Sequence, residues 1–103
     1  MPYVEMHAVE AVGEFSRGAL LVLDVRTIGE WHSGHIPGAI HIPLHELQAR
    51  YDELDPEERF LVVCAHGIRS AAAGQFLASQ GFVEVINLRH GMCAWAGPVV
   101  TGP

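Results

Sequence analysis

Two unbroken apolar runs, Leu20-Leu21-Val22-Leu23-Asp24-Val25 and Phe60-Leu61-Val62-Val63, constrain the fold of this chain more than any other feature. Both have strand length, and neither alternates apolar with polar residues as a strand with one wet face does. Each therefore needs cover on both faces, the condition of a strand in a parallel sheet flanked by helices. Helical spacing supplies that cover. Within 7–17, Ala8, Val9, Val12 and Phe15 share one face, and Gly18 is a stop. Leu44, Leu47, Tyr51 and Leu54 mark the inner face of a second helix, and a third runs over 70–80, ended by Gly81. Shorter strands fit 3–6, 39–41 and 83–88, short helices fit 28–33 and 92–95, 34–38 reads as loop, and 99–103 reads as a loose end. Strands alternating with helices imply a three-layer α/β fold.

The 103 residues suit one domain, assigned to 1–103, and half of them are hydrophobic, as a packed globule requires. No repeat, low-complexity tract or linker interrupts it. The formal net charge is −6, lysine is absent and the six arginines are scattered. Nucleic-acid binding needs clustered cations, so this balance argues against it. A small anionic ligand would need a local positive site. No apolar run approaches the roughly 18 residues of a membrane span. The first residues lack the basic-then-apolar pattern of a signal peptide, so no membrane partner and a cytoplasmic location are expected. Cys64 and Cys93 are too few for a disulfide framework.

Cys64-Ala65-His66-Gly67-Ile68-Arg69-Ser70 follows the second apolar run and leads into the Ala71-Ala72-Ala73 helix. A cysteine ending a buried strand is often only a small core hydrophobe. Its neighbours favour chemistry. Gly67 permits a turn in which successive N–H groups converge as an anion nest. The N–H groups at a helix start carry partial positive charge, and a thiol held there ionises more readily. Arg69 adds a fixed charge, and Ser70 caps the helix or donates a hydrogen bond. His66 either donates a hydrogen bond or faces solvent. Asp24 and Arg26 read first as a structural pair bracing neighbouring loops; the alternative sets Arg26 near the mouth, steering anions. Of the seven histidines, only His41 and His45 among His35, His41 and His45 have helical ligand spacing, and Pro43 breaks that helix. The cysteine–histidine patterns of zinc sites are missing, so no metal is expected. Trp31 and Trp95 read as packing residues, and Cys93 as a buried or supporting thiol.

These residues also carry a family resemblance. Asp24-Val25-Arg26, Glu30-Trp31, Gly34-His35-Ile36-Pro37-Gly38-Ala39 and His41-Ile42-Pro43 are similar to the N-terminal signature of the single-domain rhodaneses, which are sulfurtransferases. The stretch from Cys64 to Ser70 resembles their active-site loop, and Leu88 with Gly91 and Trp95 resembles their C-terminal signature. His90 is a departure, because many members carry a second glycine there. The resemblance implies a five-stranded parallel sheet of order 3-2-4-5-1. The ends of its second and fourth strands, at Asp24-Val25-Arg26 and Cys64, would then meet at a topological switch point. It implies Cys64 as the catalytic nucleophile, with Ala65, His66, Gly67, Ile68, Arg69 and Ser70 binding substrate and Asp24 and Arg26 in support. The implied reaction moves a sulfane sulfur from a small anionic donor such as thiosulfate, or from a persulfide, through a Cys64 persulfide to cyanide or a thiol. It needs no cofactor. A protein donor or acceptor is also admitted.

Two rival readings follow from the same loop. A phosphatase or arsenate reductase of related fold uses Cys-x5-Arg to wrap a tetrahedral oxyanion, whereas Cys64 to Arg69 is one residue shorter. The smaller loop suits one sulfur atom better. A rhodanese-like sulfur-carrier or protein-binding module is the other rival, and retention of the cysteine does not separate a carrier from an enzyme.

Overall fold

The computed structural model describes residues 2–103. Five strands, β1 (Tyr3–Met6), β2 (Leu21–Asp24), β3 (Ile40–His41), β4 (Arg59–Val63) and β5 (Glu84–Leu88), form one sheet of order β1-β5-β4-β2-β3. Every pairing is parallel. Four helices, α1 (Ala8–Ser16), α2 (Ile28–Ser33), α3 (Leu44–Arg50) and α4 (Ile68–Ser79), connect the strands, with single 3-10 turns at Tyr51–Glu53 and Gly91–Ala94. The three-layer α/β fold is the one the alternation of strands and helices implied, and the strand order is the one the family resemblance implied.

Side chains on a strand point alternately to opposite faces, and the apolar runs fill both. Leu23, Phe60, Val62 and Val85 join Leu47 of α3 and Ala73 and Leu77 of α4 in one buried cluster. Val22, Leu61, Val63, Ile86 and Leu88 join Ala11 of α1 in the other, with Phe15 and Trp95 packed against it. Cys64 keeps the parity of Phe60 and Val62 and so belongs to the cluster under α4. The alternation that fills the core thus also aims the cysteine.

Four expectations about the fold need correction. Val9, expected on the covering face of α1, is 89% exposed, and Ala11 is the buried residue of that helix instead. Helix α4 begins at Ile68, two residues before the expected start, because Gly67 in the left-handed region (φ 92°) turns the chain directly into it. The end of the chain is not loose: Val100 and His35 exchange backbone hydrogen bonds of 2.8 Å, and the Gly102 N–H donates to His32 O. Cys93 is exposed rather than buried.

The strand order brings the ends of β2 and β4 side by side, since the chain steps outward to β3 and returns past β2. Beyond the paired strands, the Val25 N–H donates to Val63 O, Ile42 to Asp24 O, and Leu44 to Val25 O. The crevice at this switch point holds the candidate site.

Candidate active site

Residues 64–70 wrap the Cys64 sulfur. Sγ accepts hydrogen bonds from the N–H of Gly67 at 3.1 Å and of Ser70 at 3.3 Å. Gly67 is the N-cap of α4 and offers no side chain to the first free N–H groups. The sulfur takes the place of a capping oxygen. Ser70 is therefore not the cap. It lies in the first turn, fully buried, with Oγ 3.2 Å from Sγ. Burial of Cys64, which is 1% exposed, opposes ionisation. The Ser70 hydroxyl, where its hydrogen turns to the sulfur, and the N–H groups of Ser70, His66 and Gly67 outweigh that burial and hold the thiol below its ordinary range.

The loop is fixed from two sides. Gly91, with φ 66°, lies against its back, and a Cβ there would stand 2.5 Å from Cys64 O. Only glycine permits that approach and that backbone angle together. The next two N–H groups, of Met92 and Cys93, donate to Cys64 O and Ala65 O. His90, the departure noted in the sequence, takes φ 65° itself, so the loop keeps a left-handed turn without the extra glycine. Asn87 of β5 braces the other side, donating through Nδ2 to Gly67 O at 3.2 Å and accepting from the Ser70 hydroxyl.

Arg69 does not point free into the crevice. Its guanidinium makes a two-pronged pair with Glu30 of α2, at 2.7 and 2.9 Å. That pairing is the main cause that drives the Glu30 carboxyl down to about 2, against burial, with help from the Thr27 N–H and hydroxyl. Glu30 also closes a capping box with Thr27 at the start of α2. Arg69 joins Val25, Thr27, Pro43, Leu44 and His45 around a largely apolar cleft of about 280 Å³.

Asp24 and Arg26 lie behind this cleft as a buried ion pair, with Arg26 Nη2 2.7 Å from Asp24 Oδ2 and donating to Gly34 O at 2.7 Å. The Asp24 carboxylate also takes the Arg26 N–H. The pair holds the turn after β2 to the loop after α2. Nearby, Trp31 stacks on the rings of His35 and His41, whose ring nitrogens meet Trp31 O and Arg26 O at 2.8 Å. Among the described residues no group of three or more His, Cys, Asp or Glu is placed to hold a metal ion. His66 and Ile68 of the loop are exposed, Ile68 by 80%. Ala65 and Gly67 are half-buried.

The structure thus brings Cys64, Gly67, Ser70 and Arg69 together and sets Asp24 and Arg26 in the wall. Sequence reasoning missed two residues. Asn87 was signalled only by being a lone amide in the apolar run Val85-Ile86-Asn87-Leu88, where a buried polar group needs partners. Glu30 lay inside a quoted motif, but its pairing with a residue 39 positions away left no local trace.

The fold is thus a three-layer α/β domain whose parallel sheet holds a cysteine at its switch point, cradled by helix-start N–H groups. The chain belongs to the rhodanese-like domain family, whose model matches residues 8–98. It is 34% identical over 95 residues to a thiosulfate sulfurtransferase, GlpE, of Coxiella burnetii, covering 92% of this chain and 89% of that one. It is 43% identical over 79 residues to a putative sulfur carrier protein, YrkF, of Bacillus subtilis, covering 77% of this chain but spanning only 43% of that protein. Among solved structures, a rhodanese-related protein from Thermoplasma volcanium superposes with a TM-score of 0.89 at 35% identity, covering 97% of this chain and all of that one. No helix among the described residues is long and apolar enough to cross a membrane.

Proposed function

We propose that the protein is a sulfurtransferase that carries sulfane sulfur on Cys64. The observation that carries this reading is the Cys64 sulfur, buried yet accepting two N–H donors from the loop that opens α4. In the first step the Cys64 thiolate attacks the outer sulfur of a donor such as thiosulfate. A new sulfur–sulfur bond forms, the donor's bond breaks, and sulfite leaves with its electron pair. The negative charge then rests on the outer sulfur, before the loop N–H groups. In the second step cyanide or a thiolate attacks that outer sulfur and takes it, and the bond electrons return to Cys64. The cycle is covalent and of the ping-pong kind, with no group required beyond the chain.

Residues 65–70 supply the binding loop on this reading, and Asp24 and Arg26 hold its wall. Arg69 is the nearest fixed cation, and its pairing with Glu30 argues against the phosphatase alternative: a guanidinium engaged on α2 does not close over an oxyanion. The likeness to a putative sulfur carrier favours a second form of the same chemistry, in which a partner protein loads or unloads Cys64. Either form needs free thiols and suits a reducing cytoplasm.

Intact-mass measurement after thiosulfate treatment tests the proposal. The wild type should gain one sulfur that cyanide removes, and Cys64→Ser should gain none. A wild type that gains no sulfur refutes the thiosulfate reaction.

A further inference from the structure

Asn87 is a buried amide, 2% exposed, that the two sulfur-transfer steps do not use. It stands on β5 directly across from Glu5 of β1 and Val62 of β4. Its nitrogen has two partners, Glu5 Oε2 at 3.1 Å and Gly67 O at 3.2 Å. A carboxylate and a carbonyl only accept, so the nitrogen must face them and the amide oxygen must face Ser70. An amide oxygen also only accepts. The bond between Ser70 and Asn87 is therefore made with the one hydroxyl hydrogen that Ser70 has. Toward Sγ, 3.2 Å away, the same oxygen presents lone pairs. That arrangement suits the thiol, whose S–H can donate to Ser70. It opposes the thiolate, which needs the hydroxyl hydrogen for itself.

We infer that Asn87 is a positioning residue that competes with the Cys64 thiolate for the single hydroxyl hydrogen of Ser70, and thereby sets the ionisation of the nucleophile. The inference rests on reading Cys64 as the nucleophile. When the thiol proton leaves to solvent, the Ser70 hydrogen turns to Sγ and the buried Asn87 oxygen loses its donor. When an outer sulfur is bonded, Sγ is no longer charged and the hydrogen returns to Asn87. The competition thus resists charge on Sγ and favours its passage to the outer sulfur, where the loop N–H groups meet it.

The other charged groups near the sulfur are paired elsewhere. Arg69 of α4 engages Glu30 of α2, and Asp24 at the end of β2 engages Arg26. Glu5 of β1 stands behind Asn87 with Tyr3 bonded to it and Arg89 and His90 in Coulombic reach. His66 on the loop is exposed. Substitution at 87 also removes the Nδ2 bonds to Glu5 and Gly67 O, and the Ser70→Ala background controls for that loss.

The test is the pH dependence of Cys64 alkylation by iodoacetamide, with the exposed Cys93 replaced by serine so that one thiol reports. No sulfur donor is present, so failure of the thiosulfate reaction and failure of this inference are read separately. Asn87→Leu should move the midpoint down by about one pH unit, giving about tenfold more thiolate below it. In a Ser70→Ala background the same substitution should not lower it, since the contested hydrogen is gone and only the loss of the Nδ2 brace on Gly67 remains. An unchanged or raised midpoint in Asn87→Leu overturns the inference, and so does an equal shift with and without Ser70. If Asn87→Leu does not fold, the smaller Asn87→Ala decides, since it too removes the amide oxygen. The midpoint should fall further with Ser70 present than in the Ser70→Ala background. Equal shifts overturn the inference.

Discussion

Replacing Glu30 by glutamine removes the charge that faces Arg69 while keeping the length and the capping reach of the side chain, since glutamine also closes a capping box. The Glu30 carboxyl lies at about 2 against an ordinary 4.5. For a shielded group that difference would correspond to about 3 kcal/mol of stability. The two side chains are 33% and 35% exposed, however, and solvent screening reduces the contribution to about 1 kcal/mol. A chain of this length should then lose about 4 °C of melting temperature at pH 7. The sign with pH follows from the depressed value. The contribution is whole above 4.5 and is lost as pH falls through about 2. Melting curves of wild type and Glu30→Gln, recorded from pH 7 downward, should therefore show a gap that narrows between 4.5 and 2 and closes below. The remaining carboxylates are common to both proteins and drop out of the difference. Equal stability at pH 7, or a gap that does not change with pH, would refute the assignment of this ion pair as the strap between α4 and α2.

Two further outcomes follow from the same geometry. Gly91→Ala should cost more than about 2 kcal/mol in urea unfolding, because it adds a Cβ against Cys64 O at a positive φ; a loss under about 0.5 kcal/mol would show that the turn shifts freely. Arg69→Ala should lower kcat/KM for thiosulfate and for a persulfide with an uncharged organic group by similar factors, because the guanidinium is engaged by Glu30 and acts through the shape of the loop. A distinctly larger loss for thiosulfate would show that Arg69 leaves Glu30 to meet the anion.

What the sequence disclosed and what it hid divide by range. The runs at 20–25 and 60–63 were legible because two-sided burial leaves an unbroken apolar word in the chain. The sheet order came through the resemblance, not through the residues' own spacing. The start of α4 was misplaced because Ser70 looks like a cap, while the actual turn rests on Gly67 and the actual cap is a sulfur. The tail looked loose because its anchor, the His35–Val100 pairing, joins residues far apart in sequence. Cys93 looked buried because cysteine usually is, yet its backbone serves the loop while its side chain faces out.

The same division bears on chemistry. Burial under α4 follows from strand parity: Cys64 inherits the face of Phe60 and Val62, and that alone would keep it a neutral thiol. Ionisation needs donors, and the loop brings them only because Gly67 turns and Gly91 lets a second backbone lie against it. With Arg69 paired to Glu30, the mouth offers an apolar cleft and little net charge. Selection among donors on this reading falls to what leaves from the far side of the transferred sulfur, and the apolar lining at Val25, Pro43 and Leu44 favours an organic thiol there over a hydrated dianion.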